Sequence, residues 1–325
     1  MPKEITHWLV ARKVSESARG TQWGDVAMHY PNALGFGAVF PDLLYYITGP
    51  TIISRYRSIA QAYHGAHGED TNELPRSIAA VLSKCRHVEA LRAFLYGLVC
   101  HIQTDLTFHP LVYALTGNDE DNDPNRRTQS VKDHRRFECL IDLYFCDGPE
   151  GLAGHSLQRM IRNLELPLSC LWSVLEKTNT RVADYPAMAS AMKSALLIFS
   201  ILQNLFRRKL PSRVLQAAMP HLTRSMQEVA ALFYTQDLLV YMDDISGPLS
   251  FRNASGIVET ITLTELFNRA VAQSLKVIDG IDQALGNGLP ILPEVGPPLG
   301  CHRICDYEAG PLVSHAASAF FRSDG

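Results

Sequence analysis

The sequence has no excess of positive charge, no catalytic-serine elbow, no phosphate-cradling glycine loop and almost no strand-like alternation. Thirty Lys and Arg stand against 33 Asp and Glu, a net charge of −3, so the footprint needed for a long nucleic-acid track is missing. Without a G-x-S-x-G or a P-loop pattern, serine-nucleophile and nucleotide-triphosphate chemistries have no support. The 21 Gly and 18 Pro follow no period and 46% of the chain is hydrophobic, which excludes collagen-like and disordered classes. No stretch reaches the roughly 18 uninterrupted apolar residues of a membrane span. The start, MPKEITHWLVARKV, is charged too early for a secretory signal. Seven cysteines (Cys85, Cys100, Cys139, Cys146, Cys170, Cys301 and Cys305) sit mostly in apolar helical stretches and in odd number. They read as reduced thiols rather than a disulfide framework. The expected setting is cytoplasmic, with no transmembrane segment and with peripheral membrane contact left open.

What is present is helical periodicity. The 325 residues suffice for one large core or two smaller ones. Helices are expected over 4–18, 73–86, 88–114, 130–146, 153–164, 184–206, 212–242 and 263–285. The 88–114 stretch is too apolar for a surface helix and should be buried. Segment 117–128, GNDEDNDPNRRT, reads as a polar loop and 252–263 as the one fair strand. The fold class is therefore all-α, several helices around a buried central one. Three parts are expected: 1–150 as a metal-binding helical core, 151–285 as a helical remainder packed on or continuing it, and 286–325 as a Pro/Gly-rich tail wrapping the surface as coil.

Histidine is the informative residue. Of twelve, eight fall in the first 138 positions. HIQTDLTFHP places His101, Asp105 and His109 at steps of four, so His101 and Asp105 share a helix face and can grip one ion. His109, roughly 12 Å along the axis from His101, would serve a neighbouring ion, with Asp105 able to bridge. Pro110 disfavours helical geometry at His109, so a kink is expected there. His134 and Glu138 repeat the four-residue step, an imidazole–carboxylate pair suited to Zn²⁺ or an ordinary surface pair. Asp142 continues that face, either holding a histidine tautomer or lying solvated. Asp42 follows Pro41 as a ligand or a helix cap. His64 and His67 share a glycine-rich loop that lets backbone approach a ligand closely. His7 lies on the first helix beside Trp8, a ligand or a buried structural histidine.

The order ITHW, GxGAxxPD, HGxxGEDT, HxxxDxxxHP, HxxxE resembles the zinc-dependent phospholipase C family, which includes secreted phospholipases C and fungal single-strand-specific zinc nucleases. The resemblance covers about residues 3–142. It implies an all-α domain with Zn²⁺ at the bottom of a cleft. Asp42, His64, His101 and Asp105 would hold a first ion and His109, His134 and Glu138 a second. His7 and the bridging Asp105 would hold a third. The HG position favours His64 over His67. The secreted members supply an N-terminal Trp to the third ion and carry two extra residues between the Asp and the next His; this chain has neither. Two tight ions are therefore expected, with the third site weak. The implied chemistry is attack on a phosphodiester by metal-activated water, with Asp42 orienting or deprotonating it. The expected substrate is a small phosphodiester or phospholipid headgroup. The alternatives are a nuclease or nucleotidase on the same site, or a non-catalytic metal-stabilised binding module.

Overall fold

The computed structural model describes residues 3–46, 53–118, 121–178, 185–253, 256–287, 292–293 and 296–299. Pro2, Cys301, Cys305 and the rest of the tail beyond Leu299 lie outside the described residues. The chain folds as an all-α assembly with one two-stranded hairpin. Helices α1 (Glu4–Ser17), α2 (Gln22–His29) and α3 (Pro31–Gly37) lead into a 3-10 turn, Phe40–Tyr46. They are followed by α4 (Ile53–Tyr63), α5 (Glu73–Val81), the central α6 (Val88–Thr116) and α7 (Pro124–Phe145). The second half contributes α8 (Leu157–Arg162), α9 (Leu168–Thr178), α10 (Tyr185–Phe206), α11 (Lys209–Ala218), α12 (Arg224–Ala230) and α13 (Met242–Ser246). Strands β1 (Leu249–Arg252) and β2 (Val258–Ile261) then pair antiparallel, and α14 (Leu263–Asn287) closes the described helices.

Helix α6 is apolar on nearly every side because α1, α3, α7 and α14 all pack on it. Phe94, Tyr96, Phe108 and Leu111 are fully buried. One continuous hydrophobic core runs from Ile5 in α1 to Ile281 in α14, so the C-terminal helix is packed on the histidine-bearing half. The kink expected at Pro110 does not end the helix, which continues to Thr116. Packing around α6 outweighs the one backbone hydrogen bond that proline removes, and His109 keeps its helical step from Asp105.

Helix α7 starts six residues before the expected position. Asp123 caps it, accepting from the amides of Asn125 and Arg126, and Pro124 sits at its first position, where its missing N–H costs nothing. The expected long helix over 212–242 is broken: Pro220 falls in a 3-10 turn and Thr223 starts a new helix by accepting from Met226 N–H. The single strand expected at 252–263 is a hairpin, with Leu249 opposite Ile261 and Arg252 opposite Val258. Within α10, Ala189–Phe206 is long and apolar enough by composition to cross a membrane. Here Met192, Ala195 and Phe199 are buried and Phe199 stacks on Tyr46 at 3.9 Å, while Leu197 and Ile201 are exposed.

A close helix crossing sets the site. A Cβ on Gly97 of α6 would lie 2.0 Å from the Leu34 carbonyl oxygen, and one on Gly37 of α3 would lie 2.1 Å from that of Phe94. Only glycine admits such an approach. It brings the carbonyl of Ala38 to 2.9 Å from Nδ1 of His101, one turn further along α6. Gly97→Ala should therefore cost about 3 kcal/mol, the upper end of ordinary overpacking, because the atoms in the way are backbone. An unfolding free energy from urea titration within about 0.5 kcal/mol of wild type, the scatter of neutral surface changes, would show that the crossing relaxes freely.

Candidate metal centre

Four separate pieces of chain bring ligand atoms together on the central helix. Asp105 is the hub, fully buried in the middle of α6. Its Oδ2 faces Nε2 of His101 at 3.2 Å and Nε2 of His64 at 3.8 Å. Its Oδ1 faces Nε2 of His7 at 3.3 Å and Nε2 of His109 at 4.0 Å. His64, at the end of α4, also lies 3.2 Å from Oδ1 of Asp42 in the 3-10 turn. In α7, Nε2 of His134 is 2.8 Å from Oε1 of Glu138.

These atoms form three groups able to hold an ion: Asp42, His64 and His101; His109, His134 and Glu138; and His7, His101 and Asp105. Within each group the ligand atoms lie within 4.8 Å of one another. His7 draws on His101 as well as Asp105, and the two imidazoles stack at 4.4 Å. The first two groups form a rim, with side chains 4–11% exposed apart from fully buried His101. His7, His101 and Asp105 form a floor with no exposure at all.

The rings are aimed by main-chain carbonyls. Nδ1 of His64 lies 2.7 Å from Ala60 O, Nδ1 of His101 bonds Ala38 O, and Nδ1 of His109 bonds Leu299 O. Donation from Nδ1–H leaves Nε2 as the lone pair facing the cluster, the arrangement by which proteins fix a histidine ligand. At the focus, both ring nitrogens of His7, both oxygens of Asp105, Oδ1 of Asp42 and Nε2 of His109 are buried without a hydrogen-bond partner. Buried polar atoms rarely stay unpaired, and nitrogen and carboxylate donors converging on common points are the ligand set zinc takes. The residues fit the metal.

Electrostatics agree with that reading. Burial disfavours the ionised Asp105, yet His101 and His109 hold its carboxyl well below the usual range. Burial pushes His101 down, but Asp105 and Asp42 outweigh it and raise it. Burial lowers His7, helped by His101, and lowers His109 further. Against the upward push of burial, nearby positive charge including His134 holds Glu138 at about 2.

A pH dependence follows for the metal-free chain. His7 and His109 stay neutral in the fold but protonate when unfolded. Each therefore loses stability as pH falls through the ordinary histidine value of 6.5, opposed by His101, which gains its proton in the fold, and by Asp142, whose carboxyl burial pushes up to about 7. Below 4.5 the depressed Glu138, with Asp105, adds a second loss that continues down to about pH 2. Urea midpoints of chelator-treated protein should fall most steeply below 4.5, where the depressed carboxylates protonate; a flat profile from there down to about pH 2 would contradict the assignments.

Position bears on two open choices. His67 is exposed, its amide bonded to Glu69, whereas His64 is buried at the focus. Asp142 neither orients a histidine nor lies in solvent. Fully buried, it accepts from the amides of Ile5 and Thr6, from the Thr6 hydroxyl and from Tyr234 OH. It thus caps the first turn of α1 and fixes the helix that carries His7. Asp42 sits inside its 3-10 turn and caps no helix. Sequence reasoning missed Tyr113. The 43%-exposed Tyr45 lies 5.6 Å from the His64 ring, and Tyr113 packs edge-on against His109 and His134 at 5.3 and 5.0 Å. It also missed the Leu299 carbonyl.

No curated protein and no solved structure matches this chain. The family model for zinc-dependent phospholipase C matches residues 6–199, a span that contains all three ligand groups and more than half of the chain. With that match, the chain belongs to the zinc-dependent phospholipase C family.

Proposed function

We propose that this protein is a zinc-dependent phosphodiester hydrolase acting on a phospholipid headgroup or a comparable small phosphodiester. The observation that carries this reading is Asp105, one fully buried carboxylate shared by ligand groups that open to solvent on its rim side. A purely structural zinc site is closed by four protein ligands, whereas the group His109, His134 and Glu138 brings three and leaves a position for water or substrate. Asp42, His64 and His101 with Asp105 would hold one ion, His109, His134 and Glu138 a second. Zinc supplies Lewis acidity toward a phosphoryl oxygen and lowers the pKa of coordinated water towards neutrality. His7 on the floor, with His101 and Asp105, makes a weaker third position, since zinc prefers four ligands.

The chain's own residues divide the remaining work. Asp105, without solvent access, keeps its charge and balances the cations. Asp42, whose side chain is 10% exposed at the rim, is the first-group carboxylate able to orient the attacking water, take its proton and return it to solvent. Tyr45, exposed beside His64, offers an aromatic face to the group next to the phosphate.

Elemental analysis of desalted protein, followed by a panel of phosphatidylcholine, phosphatidylethanolamine, a dinucleotide and a nucleoside monophosphate, tests the proposal. At least two zinc ions per chain and turnover of a phospholipid are expected. Turnover confined to the nucleotide substrates would move the protein to the nuclease reading. Zinc without turnover of any phosphate ester would make it a metal-stabilised binding module.

A further inference from the structure

We propose that residues 296–299, the described end of the Pro/Gly-rich tail, are a positioning strap for the metal centre, acting through the main chain of Leu299. The inference rests on the zinc reading above for its consequence, though not for its geometry. Within this coil, whose Pro297 and Pro298 are exposed, Leu299 is 1% exposed and touches both rim groups. Its carbonyl accepts from Nδ1–H of His109, a ligand of the second group. Its amide donates to the carbonyl of His64 at 2.8 Å, a ligand of the first.

The segment is tied down upstream of these contacts by bonds to Asp70, Thr71 and Arg76, further along the loop that begins at His64 and into α5. The Thr71 hydroxyl donates to Pro297 O at 2.8 Å, the Gly296 amide donates to Asp70 Oδ1 at 2.6 Å, and Arg76 bonds both Asp70 and the Pro293 carbonyl. Gly65, beside His64, has φ +67°, and a Cβ there would lie 3.0 Å from Pro298 Cα. The HG pair of the loop is thus what lets the strap lie flat against the ligand.

The chemistry gives the strap a specific task. A neutral imidazole carries one proton on either nitrogen. His64 and His101 are fixed in the Nδ1–H form from carbonyls inside the span 6–199. His109 receives the same instruction from Leu299, which lies far beyond that span. Removing such an outer partner typically lowers metal affinity about 10–100-fold, so the strap should set the affinity of the second group.

The test uses two full-length variants and a conservative control. In Gly296→Val the new Cβ would lie 2.4 Å from Thr71 Oγ1 and 2.6 Å from Asn72 N, which lifts the segment. Thr71→Val removes one tie and keeps the side-chain shape. Leu299→Met preserves the buried anchor. Nitrogen-15 NMR of histidine in metal-free protein reads the tautomer directly. His109 should be the Nδ1–H form in wild type and Leu299→Met and a mixture in the other two, with His101 unmoved. Chelator competition should then show one zinc ion bound about 10–100-fold more weakly in Gly296→Val and Thr71→Val. An unchanged His109 tautomer in both variants overturns the strap, whatever the zinc count. A tautomer that shifts in protein binding no zinc keeps the strap and overturns the zinc reading instead. A shifted tautomer with zinc affinity within about twofold of wild type, well short of the outer-partner effect, overturns the positioning role, leaving the segment a staple only.

Discussion

Asp105→Ala is expected to remove more zinc than any other single change, taking the chain from at least two ions to fewer than one. Each oxygen of Asp105 serves a different side of the cluster, Oδ2 towards His101 and His64 and Oδ1 towards His7 and His109. Among the described candidate ligands, Asp105 alone faces histidines of both rim groups with its side chain. The metal-free fold should also weaken by about 3–5 kcal/mol, the cost of leaving one member of a buried ion pair without its partner, since His101 draws its raised proton affinity from Asp105 and Asp42. Elemental analysis and urea unfolding, with His155→Ala and His221→Ala as controls, check both parts. His155 packs near Trp8 and His221 is exposed, so neither control should lose zinc. Equal losses in all three variants would refute the assignment.

Asp42→Asn should separate holding the ion from using it. Asparagine keeps one oxygen towards His64 but cannot take a proton, so turnover should fall on the order of 100-fold or more. Binding of a non-hydrolysable phosphonate analogue should change far less, and zinc content should remain above one ion per chain. A parallel fall in analogue binding and turnover would mean that Asp42 serves only as a ligand.

The steps of four in His101–Asp105–His109 and His134–Glu138 were legible in the sequence because a helix turns a spacing into a shared face. So were the all-α class and the helices expected over 4–18 and 88–114, found at Glu4–Ser17 and Val88–Thr116, whose apolar patterns are long. His64 and His67 could not be separated by residue type, since a loop has no period and only the fold decides which ring turns inward. Asp142 was misread for a related reason. Its partners Thr6 and Tyr234 lie 136 and 92 residues away, and nothing local announces a cap on another helix. The long helix drawn across 212–242 ignored Pro220, which a helix interior accommodates only at the cost of a kink or a break. The carbonyls of Ala38, Ala60 and Leu299 leave no trace in a sequence at all, because every residue has one.

The bond from His109 to Leu299 spans 190 positions, which bears on the order in which the molecule comes together. Contacts that close long loops are delayed by the chain entropy they must first overcome. A nascent chain can pair α1, α3, α6 and α7 from local and middle-range contacts before residue 299 has been added. The His109 ring then waits, unaligned, for a segment that follows it 190 positions later. Refolding followed by helical circular dichroism should accordingly finish before the ligand set is complete, and cation capture should trail helix formation as a separate, slower phase.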